Sequence, residues 1–124
     1  RTAEERLSVY EAAALAASAE EMSAWSSIVS TVEVSGAGAL RMLVNVLIAE
    51  PHRVAVLFSS VLPAEVVVAR SADVDLDART ILSQLTERFG GSGGGKPNLA
   101  QGGGLTGVSS ELLDAARAIL SEHR

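Results

Sequence analysis

The chain has 124 residues, a formal net charge of -5 and no cysteine. That length suits one domain with a real core and no covalent staples, and the composition excludes disulfide and thiol chemistry. His52 and His123 are the only two histidines and lie far apart, so no soft or imidazole ligand set for zinc exists; the acidic balance also argues against a cation-coated body, leaving room only for a local nucleic-acid contact.

The apolar runs VAVLF and VVVA are too short to cross a bilayer, and no basic stretch followed by an apolar one opens the chain, so it reads as soluble with no membrane partner. The chain begins with Arg1 and its first methionine is Met22, which suggests a piece of a longer protein. Residues 1–25 are rich in Ala and Glu and contain neither Gly nor Pro, which predicts a helix. Leu7, Tyr10, Ala14 and Ala17 share one face, and Met22 and Trp25 continue an apolar side. This thin, alanine-rich stripe suits packing on its own domain or against a second copy, so residues 1–26 form a candidate dimerisation element ahead of a globular domain at 27–124.

Ile28, Val29, Thr31, Val32 and Val34 then predict a strand ended by Gly36 and Gly38. Leu40, Leu43, Val44, Leu47 and Ile48 recur at helical spacing until Pro51 stops them. RVAVLFSS and EVVVARS read as two strands buried on both faces, turning near Pro63. Asp77 can cap a helix carrying Ile81, Leu82, Leu85 and Phe89, with Gly90 at its end. A closing helix starts near Ser109 or Ser110 and buries Leu112, Leu113, Ala116, Ile119 and Leu120. The order predicts an α+β fold, a small mixed sheet covered by helices and preceded by an N-terminal helix.

Between the last two helices lies GGSGGGKPNLAQGGG, residues 90–104, which holds the single lysine, Lys96. Gly90 through Lys96 matches a nucleotide phosphate loop in letters, but Pro97 stands where Ser or Thr should bind magnesium, and a helix precedes the glycines instead of following them. GGGLTG at 102–107 is a formal dinucleotide fingerprint with too little chain after it for a βαβ unit. A plain flexible linker would not need the proline, the amides and the apolar anchor of PNLAQ. Asp73, Asp75 and Asp77 have calcium-loop spacing, but Ala78 and Gln84 occupy positions that need Gly and Glu. His52, beside Pro51, reads as a turn residue.

This segment resembles the G-G-x-G-G-G-[RK]-P-[DN]-x-A-Q-x-G-G motif of the DHH-associated domain found at the C-terminus of alanyl-tRNA synthetases and of longer alanyl-tRNA editing proteins. The similarity extends over roughly residues 27–122. In DHH phosphoesterases the matching segment carries a histidine where this chain has Lys96 and Pro97, which favours the alanyl-tRNA branch. Lys96 replaces the commoner Arg and Asn98 the commoner Asp. The resemblance implies a non-catalytic, cytoplasmic, tRNA-binding domain, with tRNA-Ala as partner and dimerisation through the helical part. Zinc, or ATP with magnesium, would serve other domains of the parent, and this stretch would hold no cofactor, metal or catalytic residue of its own. The alternatives are the substrate-gripping half of a DHH phosphoesterase and a purely structural dimerisation module.

The residues suit that role. Glycines let a ligand approach the backbone closely, Lys96 adds a point charge, Pro97 restricts the loop, and Asn98 and Gln101 offer donors and acceptors. The expected nucleic-acid contacts are therefore Gly93, Gly94, Gly95, Lys96, Pro97, Asn98, Gln101, Gly102 and Gly103, on an exposed loop. Aromatic platforms are scarce: Phe58 and Phe89 belong to the core, and Tyr10 and Trp25 to the first helix, so recognition of a folded RNA surface fits better than reading of a single strand.

Overall fold

The computed structural model describes residues 20–21, 25–33, 37–60 and 63–123. In chain order these give β1 (Glu20–Glu21), β2 (Ser26–Val32), α1 (Ala37–Ile48), β3 (Arg53–Ser59), β4 (Ala64–Arg70), α2 (Ala78–Phe89), β5 (Ser92–Gly95), β6 (Leu99–Leu105) and α3 (Ser109–His123). The strands form one six-stranded sheet in the order β1-β2-β3-β4-β6-β5. Only β2 and β3 run parallel, because α1 carries the chain back between them; every other neighbouring pair is antiparallel. The fold is the α+β arrangement with a mixed sheet that the sequence predicts.

Period-two alternation along β3 and β4 divides the core between the two sheet faces. On one side Leu40, Leu43, Val44 and Leu47 of α1 pack on Ile28, Ala55, Leu57, Val67 and Ala69. On the other, Val54, Val56, Phe58, Val66 and Val68 meet Ile81, Leu82 and Leu85 of α2 and Leu112, Ala116, Ile119 and Leu120 of α3. The central strands are buried on both faces, as their near-continuous apolar runs require. Each large aliphatic side chain taken fully out of water here contributes roughly 1.5–3 kcal/mol. Leu113 is half-buried against the same cluster.

Local chemistry sets the ends of α2. Asp77 lies in an extended conformation and its carboxylate accepts the Arg79 backbone N–H, and Gly90, with φ of 80°, ends the helix by donating its N–H to the Thr86 carbonyl. Ser71 locks the turn before β3 to the end of β4. Its hydroxyl donates to the Glu50 carbonyl and accepts the Arg53 N–H, while its own N–H donates to the Arg53 carbonyl at 2.8 Å. His52 sits in that turn with φ of 59°, in keeping with its reading as a turn residue.

Two expectations are corrected. Glu20 and Glu21 are not helical but pair antiparallel with Ser27 and Ser26, so the predicted N-terminal helix does not continue to residue 26. β-branched and hydroxyl side chains follow closely, and the free edge of β2 offers this short segment backbone partners that override its helical propensity. Trp25 is not on a helix either; it is buried in the cluster beneath α2 and α3. The rest of the predicted helix, with its proposed dimer face, lies outside the described residues, as does the Val34–Gly36 end predicted for the first strand.

Candidate nucleic-acid interface

The glycine-rich segment is a β-hairpin and not the exposed loop expected from its composition. Ser92–Gly95 pairs with Leu99–Leu105, with Gly94 opposite Gln101 and Ser92 opposite Gly103. The turn between them has Pro97 and Asn98 at its two central positions. Lys96 and Leu99 close it with reciprocal backbone hydrogen bonds of 2.9 and 3.2 Å. Proline's fixed φ suits the first central position, so the ring that makes a linker implausible is what shapes the turn.

The turn is fastened to the body by its own carbonyls. Pro97 O accepts the Ala78 N–H at 2.8 Å, serving one of the free donors at the start of α2, and Asn98 O accepts the Arg70 N–H at 3.1 Å. At the other end the Phe89 carbonyl accepts both the backbone N–H and the hydroxyl of Thr106, at 3.0 and 2.7 Å. A hairpin tied at its tip and its base is a fixed surface.

Close approach of the two strands explains much of the glycine. A Cβ on Gly95 would stand 2.5 Å from the Leu99 carbonyl oxygen, and one on Gly93 would be nearer still to that of Gln101; no side chain fits at either position. Gly102 faces α2, where a Cβ would come within 2.7 Å of the Ser92 oxygen and 3.1 Å of Leu82 Cδ1. Gly94 differs, since a Cβ there would meet nothing within 4 Å.

Strand alternation places Ser92, Gly94 and Lys96 on the sheet face that also carries Leu99, Gln101 and Gly103. This is the face covered farther in by α1, since Leu99 packs on the α1 cluster. Residues 91–98 are all exposed. Lys96 makes no ion pair among the described residues. Glu65 stands near the other end, its Cγ 3.5 Å from where a Gly103 Cβ would be, so the face runs from a positive tip to a negative base. Neither the Asn98 nor the Gln101 amide braces the hairpin backbone among the described residues, and the Gln101 Oε1, shielded from solvent, has no donor.

A second polar cluster escaped the sequence reading. The His52 backbone N–H donates to Asp73 Oδ1 at 3.0 Å and its Nδ1 lies 2.6 Å from Asp73 Oδ2. The His52 N–H, more than its ring, holds the Asp73 carboxyl below its ordinary range. The Arg79 side chain does the same for Asp77, whose carboxylate raises Arg79 in turn. Of the three aspartates with calcium-loop spacing, Asp73 thus serves a loop clasp and Asp77 a helix cap, and among the described residues no group of three or more His, Cys, Asp or Glu could hold a metal ion. Among the described residues a groove of about 610 Å³ runs along the polar side of α2, lined by Asp77, Arg79, Ser83 and Glu87.

The family model of the DHHA1 domain matches residues 26–122. The chain belongs to the DHHA1 family. Among curated relatives, the alanine–tRNA ligase of Pseudomonas fluorescens is 34% identical over 130 residues, covering 96% of this chain and 14% of the ligase. That of Natronomonas pharaonis is 46% identical over 82 residues, covering 65% of this chain and 9% of the ligase. The chain therefore spans a small part of the relatives it matches. A similar fold is seen in the crystal structure of the C-Ala domain from Aquifex aeolicus alanyl-tRNA synthetase, with a TM-score of 0.70 and 22% identity over 84% of this chain and 95% of that one. The resemblance drawn from the glycine motif, to the C-terminal domain of alanyl-tRNA synthetases, is thereby borne out. No helix among the described residues is long and apolar enough to cross a membrane.

Proposed function

We propose that this DHHA1 domain binds tRNA, with tRNA-Ala as the natural partner, through the β5–β6 hairpin, and that it does so as a non-catalytic, cytoplasmic part of an alanyl-tRNA synthetase. The observation that carries the reading is Lys96. It is an exposed cation with no acidic partner among the described residues, on a turn whose carbonyls are tied to Ala78 and Arg70 and which Gly93, Gly94 and Gly95 precede. A cation carried on a fixed turn beside the unpaired edge of β5 suits a phosphate. In an otherwise acidic chain it gives one local foothold and not general attraction to RNA. The synthetase is preferred to a free-standing editing protein because both curated relatives described above are alanine–tRNA ligases. Zinc, or ATP with magnesium, would belong to domains outside this stretch. Residues 1–19, which precede β1, are proposed to join two copies.

Sedimentation velocity with a labelled tRNA-Ala transcript tests both parts. Lys96→Ala should flatten the dependence of log K on log salt by about one unit, and Lys96→Glu should weaken binding further because repulsion adds to the lost attraction. Unchanged affinity and slope in a folded Lys96→Glu protein would remove the hairpin from the interface. The same runs give the mass of the free protein, and a chain starting at Glu20, which keeps β1 and the buried Trp25, should be lighter by more than the residues removed. Monomer mass for both would reject self-association through residues 1–19.

A further inference from the structure

We infer that the outer face of α1, which carries Gly38, Met42 and Val46, receives residues 1–19 of a second copy. The inference rests on the two-copy reading above and gives that segment its landing surface.

α1 is apolar nearly all round, since in AGALRMLVNVLI only Arg41 and Asn45 are polar. Leu40, Leu43, Val44 and Leu47 pack on the sheet. Met42 and Val46, one turn apart, stay 38% and 39% exposed, and they are two of the three large apolar side chains exposed among the described residues. A helix of that character is ordinarily covered on both sides. Gly38 lies one turn before Met42, and a Cβ there would meet only the Arg41 guanidinium, 4.0 Å away. Nothing around it in the domain requires this position to be bare, and glycine weakens a helix. A bare first turn does let another helix come close.

Residues 1–19 offer the complement. By sequence, Leu7, Tyr10, Ala14 and Ala17 share one helical face, and Glu4 and Glu11 flank it at a seven-residue spacing. α1 has no acidic residue, and Arg41 stands exposed beside its outer face. Two α1 faces packed together would therefore set arginine against arginine, whereas the stripe of residues 1–19 brings carboxylates to that border.

Reach selects the second copy over the chain's own segment. Glu20 is held in the sheet by its pairing with Ser27. A helix on the outer face of α1 would lie about 18–20 Å above the sheet, counting about 10 Å from sheet to helix and 8–10 Å from helix to helix. The three steps from Ala17 to Glu20 span at most about 11 Å. The end of the stripe cannot climb onto its own α1, but each segment of a two-fold pair can cross to the α1 of the other copy.

The test is sedimentation equilibrium of the 124-residue chain, Val46→Glu, Arg41→Glu, and Arg41→Glu combined with Glu4→Arg and Glu11→Arg. Both α1 positions are exposed, so the variants should melt with the parent at a dilution that separates the copies. Val46→Glu should raise the dimer dissociation constant about a hundredfold by burying an unpaired carboxylate. Arg41→Glu should raise it about tenfold, because the two-fold repeats each lost pair, and the added arginines should bring it back to within about threefold of the parent. If Val46→Glu and Arg41→Glu associate like the parent while the chain starting at Glu20 is a monomer, the landing surface is overturned and the two-copy reading stands. A parent of monomer mass at every concentration removes both. Failure of the added arginines to restore Arg41→Glu also overturns the assignment, since α1 would then meet some other part of the second copy. Should Val46→Glu not fold, Arg41→Glu and its reversal decide.

Discussion

β3–β4 and β5–β6 are both antiparallel pairs in one sheet, joined through the β4–β6 ladder, yet they are held in place by opposite means. The central pair is almost all apolar side chain, buried on both faces by three helices. The edge pair presents little side chain. It is held by a closed turn, by carbonyls tied to Ala78 and Arg70, and by strands that approach too closely for a Cβ at Gly93 or Gly95. The difference separates two ways of holding a strand: the centre is held by burial of side chains, and the edge by close backbone approach and by ties between its turn and the body.

Substitutions in the two pairs should therefore fail in different ways. The largest loss belongs to the centre. Phe58 is fully buried in β3 among side chains of β4 and the covering helices. Phe58→Ala should cost about 3–5 kcal/mol in chemical denaturation, the transfer term plus a cavity that close-packed neighbours fill poorly. A cost under about 1 kcal/mol would mean that the centre is not the store of stability described.

At the edge, Gly93→Ala puts a methyl group against the Gln101 carbonyl and the Gly102 Cα. Both obstacles are backbone, so the strands must part, and the expected cost is about 1–3 kcal/mol. Amide exchange distinguishes the two failures: Gly93→Ala should raise exchange at Lys96 and Leu99 and spare β3, whereas Phe58→Ala should raise it throughout. Wild-type exchange at the turn in Gly93→Ala would break the account of the hairpin as a close-approach structure.

The same contrast decides what the sequence discloses. The helices over 37–48, 78–89 and 109–123 and the two central strands are legible because their apolar residues carry the period of each element, and Asp77 and Gly90 mark the ends of α2. β5 and β6 are not legible as strands. Their pairing rests on backbone groups and on the absence of side chains, so there is no period to read, and glycine is ordinarily a strand breaker. The motif nevertheless names the family, because PNLAQ sets constraints that a linker lacks. The clasp of His52 by Asp73 joins residues 21 apart and has no local signature. Glu20 and Glu21 mislead in the other direction, since helix propensity yields there to the free edge of β2.

The smallest effect sharpens the comparison through acid. The hairpin tip is fastened by neutral backbone bonds, whereas the turn leading into β3 is clasped by an ionised carboxylate. The His52 N–H lowers the Asp73 pKa from its ordinary value of 3.8, so folding is favoured by this group above that value, and the contribution is lost as pH falls through the lowered folded value. Both side chains are substantially exposed, so solvent screens the interaction and little global stability is at stake. Amide chemical shifts resolve it nonetheless. The His52 amide should inflect below the ordinary carboxylate value as Asp73 gains its proton, while the Lys96 and Leu99 amides, bonded to carbonyls, stay flat over the same range. Asp73→Asn should abolish the inflection at His52. An inflection at or above the ordinary value, or one of equal size at Leu99, would show that the edge and the centre are not fastened by the different chemistries described.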